Sequence, residues 1–171
     1  KGDQSAFATL VDRHVGTLSA LCAQMIGDVH NAEDITQMVF LKTWQMLPDW
    51  RPGQAKLITW MRRVATNACL DHLRKHRPIY TDNVPDQASI EASPEDQITA
   101  TEHTGRMNKK LQLLPERQKL ALTLFYYQEL PQSECAETMN ISLSAFESLI
   151  RRARQSLKQQ FQHEANSNDP K

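Results

Sequence analysis

Apolar side chains recur at intervals of three and four residues through most of this chain, which is the spacing of one face of an α-helix. The first run ends at Gly27, and the second covers about residues 32 to 47 and stops before Pro48. Asn31 is predicted to cap the second helix with its side-chain oxygen. A third run begins at about Ala55, after a turn-rich loop. The pattern predicts an all-α protein.

The last third of the chain has the pattern of a helix-turn-helix. A short helix over Ser133 to Met139 is predicted to precede a tight turn and then a longer basic helix over residues 143–158. Asn140 suits a left-handed conformation at the end of the first helix. Ser142 is placed to cap the second helix by accepting from its first N–H groups. A helix in this position of a helix-turn-helix enters the DNA major groove.

The predicted second helix of this motif has an apolar stripe for the core and a polar face that is rich in arginine. Arginines can hold phosphates or read guanine, and a glutamate can accept a hydrogen bond from the amino group of cytosine. A merely solvated charged face is the alternative for such a helix. The candidate DNA-binding residues here are Ser144, Glu147, Arg151, Arg152 and Arg154.

Charge divides the chain into three parts, although the 20 Lys and Arg residues balance the 20 Asp and Glu residues. Residues 78–105 contain no Lys or Arg, and this segment also contains three prolines. We therefore predict an acidic flexible linker at 78–105 between two small helical domains, 1–77 and 106–171. The acids of the linker are Asp82, Asp86, Glu91, Glu95, Asp96 and Glu102.

The third helical run has a second face that is both basic and aromatic. Flat side chains can stack on unpaired bases while cations hold the phosphates, so this mixture suits single-stranded nucleic acid. Burial in the core is the alternative for the tryptophan, because aromatic residues of small helical domains mostly lie there. The candidate residues on this face are Trp60, Arg63, Asn67, Arg74 and Lys75.

The remaining composition argues against several other functions. The three cysteines, Cys22, Cys69 and Cys135, are far apart in apolar stretches, which indicates buried thiols in a reducing compartment. Histidines and cysteines show no close metal-ligand pairing, and no glycine-rich phosphate loop is present. We predict no metal, no cofactor and no enzymatic activity. No apolar run is long enough to span a membrane, so a soluble cytoplasmic protein is expected.

Four blocks of sequence resemble bacterial sigma factors of the extracytoplasmic-function (ECF) class. The first is Asn31–Trp44, NAEDITQMVFLKTW, which resembles the core-binding segment of that family. The others are Thr59–Ala65, Asn67–His76 and Leu114–Arg117, and they follow in the family's order. Together they cover nearly the whole chain outside the linker.

The resemblance implies a role for each part of the chain. Domain 1–77 would be sigma region 2, which binds core RNA polymerase and recognises and melts the −10 promoter element. Domain 106–171 would be region 4, which reads the −35 element of promoter DNA. The core-binding residues that we carry over from the family are Asp34, Gln37, Phe40 and Trp44.

The resemblance also implies control by an anti-sigma factor that is tethered to the membrane, without membrane insertion of this chain. A metal-resistance system, such as one for cobalt and nickel, is the setting that we infer. Two other functions remain open. A sigma-like decoy or adaptor would bind the anti-sigma protein without initiating transcription. A plain helix-turn-helix repressor would leave the Asn31–Trp44 block and the linker unexplained.

Overall fold

Seven α-helices make up the regular structure in a computed structural model that describes residues 3–51, 53, 56–76 and 100–167, with the backbone alone at 100–104 and 164–167. The described residues contain no β-strand, which confirms the predicted all-α class. Most of the predicted acidic linker lies outside these ranges. The helices are α1 (Gln4–Ile26), α2 (Val29–Met46), α3 (Leu57–Lys75), α4 (Ala100–Gln112), α5 (Glu116–Leu122), α6 (Gln132–Met139) and α7 (Leu143–Ser167).

Helices α1, α2 and α3 pack against one another to form the N-terminal domain. Helix α1 ends as predicted at Gly27, whose φ of 77° is the left-handed conformation that favours glycine at a helix C-terminus. Helix α2 is followed by a single 3-10 turn that contains Pro48. The fully buried core residues of this domain come from all three helices and include Leu18, Leu21, Met25, Val39, Met61 and Ala65.

The predicted cap of α2 at Asn31 is wrong, because Asp28 caps this helix instead. The Asp28 carboxylate accepts hydrogen bonds from the backbone N–H of Asn31 at 2.8 Å and from its side-chain amide at 3.0 Å. Helix α2 therefore begins at Val29, earlier than predicted. The hydrogen bonds hold the pKa of Asp28 below its ordinary value, because they favour the charged carboxylate.

The C-terminal domain contains α4 to α7. Helix α4 begins at Ala100, before the predicted end of the linker at Gly105. Helix α5 follows Pro115 and continues into a π-helical turn, Thr123–Tyr127, which the sequence pattern did not predict. The core of this domain is formed by Leu111, Leu120, Leu124, Phe146, Ile150 and Ala153, all of which are buried.

The predicted helix-turn-helix is present between α6 and α7. Asn140 ends α6 with φ 54° and ψ 49°, the left-handed conformation that was expected of it. The Ser142 hydroxyl accepts a hydrogen bond from the backbone N–H of Ala145 at 3.2 Å and so caps α7. Helix α7 extends well beyond the predicted range 143–158, to Ser167.

The two domains pack against each other at two places. At the first, the C-terminal end of α1 meets α4 and α5, where the Lys119 ammonium donates to the Met25 carbonyl at 2.8 Å. At the second, α6 lies against α3, where the Arg63 guanidinium donates to the Glu137 carbonyl at 2.7 Å. Both contacts join residues far apart in the chain, so the helical periodicity did not predict them.

Candidate nucleic-acid interface

One outward face of α2 carries an acid, an amide and an exposed leucine. Asp34 and Gln37, two of the predicted core-binding residues, are both exposed. Leu41 follows Gln37 by four residues and Asp34 by seven, so it lies on the same side of the helix, and it is 58% exposed. We call Asp34, Gln37 and Leu41 the docking stripe. Leu41 was not among the predicted core-binding residues, although its helical spacing from Asp34 and Gln37 could have identified it.

The two aromatic residues predicted to bind core polymerase lie on the other side of the helix. Phe40 is buried, with only 8% of its surface exposed, and its ring meets Phe7 of α1 edge-on at 6.5 Å. Trp44 is half-buried, and its ring lies 4.8 Å from the same phenylalanine. Trp44 also lines a cleft of about 580 Å³ between α1 and the end of α2. Phe40 thus belongs to the core, whereas Trp44 keeps an accessible edge.

Four of the five predicted nucleic-acid residues of α3 share one helix face. Their spacings of three, four and seven residues place Trp60, Arg63, Asn67 and Arg74 on one side, and we call this the melting face. Asn67 and Arg74 are exposed, and Arg74 forms an ion pair with Asp71. The fifth residue is Lys75, which is exposed at the end of the helix.

The N-terminal end of the melting face includes an aromatic pair. The half-buried rings of Trp60 and Trp50 meet edge-on with centroids 6.5 Å apart. Trp50 stands in the turn-rich segment before α3, so the pair joins this segment to the helix. A partly exposed indole beside arginine and asparagine side chains can stack on an unpaired base.

Helix α6 of the C-terminal domain covers the arginines at the start of α3. The Glu134 carboxylate lies 2.6 Å from the Lys56 ammonium and 3.9 Å from the Arg62 guanidinium. The Arg62 side chain is only 12% exposed, and this burial lowers its pKa while Glu134 raises it. Arg63 donates to the Glu137 carbonyl. These cations are therefore engaged within the protein, and Asn67 and Arg74 are not covered in this way.

Helix α7 presents three of its predicted DNA-binding residues on one outward face. Ser144, Glu147 and Arg151 follow one another at intervals of three and four residues, opposite the buried side of the helix, and all three are exposed. The Ser144 hydroxyl lies 3.1 Å from that of the cap residue Ser142. These positions are near the N-terminus of the helix, the end that contacts base edges in a helix-turn-helix.

The other two predicted DNA-binding residues of α7 flank this face on opposite sides. Arg152 is exposed and donates through Nε to the Ser148 carbonyl at 3.3 Å. Arg154 donates through Nε to the Tyr126 hydroxyl at 2.8 Å, and its guanidinium lies over the rings of Phe125 and Tyr126. Its pairing with Tyr126 directs Arg154 away from the outward face.

A groove of about 590 Å³ runs along the C-terminal domain beside Arg154. Its walls come from α4, α5, the π-helical turn and α7. Aliphatic and aromatic groups dominate the lining, and two cations stand among them. We call this the aromatic groove, and it is lined by Met107, Leu111, Leu122, Tyr126, Tyr127, Arg154, Leu157, Lys158 and Phe161.

The cysteines and histidines do not form a metal site in the part of the chain that the structure describes. No group of three or more His, Cys, Asp or Glu residues there is close enough to hold a metal ion. Cys22, Cys69 and Cys135 are free and buried, as the sequence predicted. Burial raises the pKa of the Cys135 thiol to about 12. Among the same described residues, no helix is both long and apolar enough to cross a bilayer.

Known protein families match both domains of the chain. The Sigma-70 region 2 family matches residues 10–79, and the Sigma-70 region 4 family matches residues 105–157. The ECF RNA polymerase sigma factor SigW of Bacillus subtilis is 33% identical over 172 residues, which span 94% of this chain and 91% of SigW. SigM of the same organism is 36% identical over 78% of this chain and 82% of its own length. The chain belongs to the ECF sigma factor family.

Solved structures have the same fold across nearly the whole chain. The structure of CnrH in complex with the cytosolic domain of CnrY is 25% identical, with a TM-score of 0.71, and covers 95% of this chain and 91% of CnrH. The sigma factor RpoE of Bartonella quintana, in complex with the anti-sigma factor NepR, is 18% identical and has a TM-score of 0.66. It covers 92% of this chain and 97% of that one, and it supports the fold alone.

Proposed function

We propose that this protein binds core RNA polymerase in the cytoplasm and directs it to specific promoters, under the control of an anti-sigma factor. The observation that carries the proposal is the docking stripe of α2, which is exposed in a chain whose second domain is a helix-turn-helix. A plain repressor needs only the helix-turn-helix. A sigma factor needs a second surface, because it must hold the polymerase while it reads DNA.

The docking stripe is suited to a protein partner. The exposed apolar surface of Leu41 can be buried in the contact, while Asp34 and Gln37 supply an acceptor and a hydrogen-bonding amide for specificity. Trp44 can add its accessible edge from the end of the same helix. Phe40 acts indirectly, because it fixes α2 against α1 through Phe7.

The melting face is suited to a base that has left the duplex. Extruding a base costs a few kcal/mol in lost stacking, which an aromatic contact and cations can offset. Trp60 supplies the flat surface and Asn67 can donate to and accept from a base edge. Arg74 and Lys75 would hold the phosphates of the displaced strand, and Arg63 would join them only after release from the Glu137 carbonyl.

Helix α7 is suited to duplex DNA in the major groove. Ser144 and Glu147 are placed to meet base edges, while Arg151 can contact a base or a phosphate from the same outward face. Arg152 would hold a phosphate from one flank. Arg154 would reach a phosphate from the other flank only after release from Tyr126, since the two are hydrogen-bonded here.

The aromatic groove is a suitable site for an anti-sigma helix. Its lining can bury the apolar face of an amphipathic helix, and Arg154 and Lys158 can pair with acids along that helix. CnrH forms a complex with the cytosolic domain of CnrY, and we propose a partner of this kind, anchored in the membrane, for the present chain. Metal stress as the inducing signal stays a proposal that rests on the sequence resemblance.

The test of the function is transcription in vitro with purified core polymerase and a panel of candidate promoters, with and without this protein. We expect initiation from a subset of promoters only when the protein is present. Binding to core without initiation from any promoter would support the decoy or adaptor instead. No binding to core would refute the proposal.

The docking stripe is tested by Leu41→Ala. We expect core affinity to fall about tenfold, because apolar anchors at the centre of an interface commonly contribute that much. Val15→Ala is the matched control, because it also trims an exposed apolar side chain, on the neighbouring helix α1. Equal core binding by the two variants would remove the docking stripe from the proposal, while initiation by the unaltered chain would leave the function itself intact.

A further inference from the structure

Leu143 exposes an apolar side chain at the first position of the helix that is proposed to read duplex DNA. Helix α7 begins at this residue, directly after the cap residue Ser142. Leu143 is 46% exposed, whereas the apolar residues Phe146 and Ile150 of the next two turns are buried. Single exposed apolar residues are common on protein surfaces, so the place of Leu143 on the helix decides what it can do.

The place of Leu143 is beside the residues that are proposed to meet base edges. Ser144 is its neighbour in the chain, and Glu147 follows Leu143 by four residues on the same side of the helix, and both are exposed. The first residues of the second helix in a helix-turn-helix are those that contact base edges in the major groove. The start of α7 therefore offers DNA an apolar group, a hydroxyl and a carboxylate side by side.

The polar residues at this end of α7 leave the methyl group of thymine unread. Glu147 can accept a hydrogen bond from the amino group of cytosine, and a serine hydroxyl can pair with several bases. The Ser144 hydroxyl also lies 3.1 Å from the Ser142 hydroxyl, so part of its hydrogen bonding is directed within the protein. Thymine presents its C5 methyl group in the major groove. An apolar side chain gains free energy by contact with this group, because both surfaces leave water.

We propose that Leu143 contacts the C5 methyl group of one thymine in the −35 element and thereby selects T·A over C·G at that base pair. This inference rests on the proposed function, because it requires α7 to enter the major groove of promoter DNA. Leu143 and Glu147 are separated by about 6 Å along the helix axis, at about 1.5 Å per residue. Successive base pairs are about 3.4 Å apart. The thymine is therefore expected within about two base pairs of the position that Glu147 contacts.

The test replaces thymine by deoxyuridine, which lacks only the C5 methyl group. The probe is a duplex that the full chain selects from a randomised pool, and each of its thymines is replaced in turn. Binding is measured for the full chain alone and for its complex with core polymerase. We expect one replacement to weaken binding of the parent chain about fourfold, the factor expected for the loss of one buried methyl group.

Variants at Leu143 should change the response to deoxyuridine. Leu143→Ala should bind the thymine and deoxyuridine duplexes equally, because it lacks the side chain that contacts the methyl group. Leu143→Met should keep the preference for thymine, since methionine is apolar and of similar volume. Circular dichroism should show the same helix content in each variant, so that weaker binding does not report unfolding.

Leu113→Ala is the matched control. It trims a leucine that is 67% exposed in the turn between α4 and α5, outside the helix that is proposed to enter the major groove. We expect Leu113→Ala to lose binding about fourfold at the same thymine as the parent chain, because Leu143 is unaltered.

Two results would overturn the proposal. One is a parent chain that responds to no deoxyuridine replacement, or that selects no duplex either alone or with core polymerase. The other is a loss at one thymine that is equally large in Leu143→Ala, because another group would then contact the methyl. If the chain binds duplex DNA but does not initiate transcription with core polymerase, the proposed function fails, and the deoxyuridine replacements still decide the role of Leu143.

Discussion

Phe40 stabilises the N-terminal domain more than it can contribute to a partner surface. Its ring is 8% exposed and packs against Phe7. We expect Phe40→Ala to lower the free energy of unfolding by about 3 kcal/mol, since truncation of a buried phenylalanine leaves a cavity. Urea unfolding followed by circular dichroism measures the change. Any loss of polymerase binding would then follow from instability.

The control for Phe40 is its neighbour on the outer side of α2. Leu41→Ala removes a side chain that is 58% exposed, so unfolding should change by no more than about 0.5 kcal/mol. The expected pattern is a large stability loss at Phe40 with a small one at Leu41, and a specific loss of core binding at Leu41. Similar stability losses at both positions would contradict the placement of the two residues on opposite sides of the helix.

At the scale of single elements, the start of α2 depends on pH through Asp28. Its pKa in the folded chain is lowered by the Asn31 hydrogen bond, so its contribution to stability is present above the ordinary pKa of 3.8. That contribution is lost as pH falls through the lower folded value. We expect Asp28→Ala to lower the melting temperature at pH 7, and the difference from the parent chain to shrink as pH falls below the ordinary pKa of 3.8.

The control for the melting temperature of Asp28→Ala is Asp12→Ala, which removes an exposed carboxylate from the middle of α1. Asp12 does not cap a helix, so its variant should lack the pH-dependent loss. Asp28→Asn should lie between the parent and the alanine variant, because it keeps an acceptor for the cap but not the charge. A loss for Asp28→Ala that is as large in acid as at neutral pH would show that the carboxylate charge is unimportant.

The residues of α7 are expected to contribute differently to DNA binding, some to base specificity and others to overall affinity. Glu147→Ala should relax discrimination at one base pair by about 1–3 kcal/mol, because Glu147 is exposed where a base edge would lie. Arg152→Ala should instead weaken binding to all promoter sequences alike, since it is placed for a phosphate. Affinity selection of randomised duplexes by each variant measures both effects. If Glu147→Ala weakened binding to all sequences equally, Glu147 would not contact a base.

How far the sequence predicts these elements depends on whether the signal is local. Asn140 and Ser142 define their turn with their own backbone and side chain, so the helix-turn-helix was predicted correctly. The α2 cap was assigned to Asn31 because asparagine suits a cap, but Asp28 competes for the same role three residues earlier. The π-helical turn has no local signature of this kind. Two of its residues, Phe125 and Tyr126, contact Arg154 of α7, which lies far away along the chain.

At the scale of the whole molecule, the contacts between the domains could not be read from periodicity. Lys119 has the pattern of an ordinary surface lysine near the start of α5, yet it is buried against the end of α1. Burial lowers its pKa, and Glu116 raises it. Similarly, Arg63 was predicted to bind DNA from its own helix, and nothing local indicates that Glu137 accepts from it. The sequence could predict which helices carry binding surfaces, but only the structure shows which of those surfaces lie against the other domain.

One glycine within α1 and the glycine that caps its C-terminus report separately on the helix and on the domain contact. Gly16 lies inside the helix with no atom within 4 Å of an added Cβ, so Gly16→Ala should stabilise the chain by about 0.5–1 kcal/mol. Gly27 has a φ of 77°, and a Cβ there would lie 3.2 Å from the Gln112 side chain. We expect Gly27→Ala to destabilise by about 1–2 kcal/mol, because alanine is strained in this conformation.

The two substitutions differ further in what they do at the contact with α4. A Cβ at position 27 requires the Gln112 side chain to shift by a few tenths of an ångström while it donates to the Gln24 carbonyl. Gly16→Ala faces open space and should leave that contact unchanged. Combining each substitution with Gln112→Ala in urea unfolding separates backbone strain from the side-chain contact, because only residues in contact give non-additive losses of stability. We expect the loss at Gly27 to be smaller when Gln112→Ala is present. An equal loss in both backgrounds would assign the whole effect to strain at the left-handed backbone.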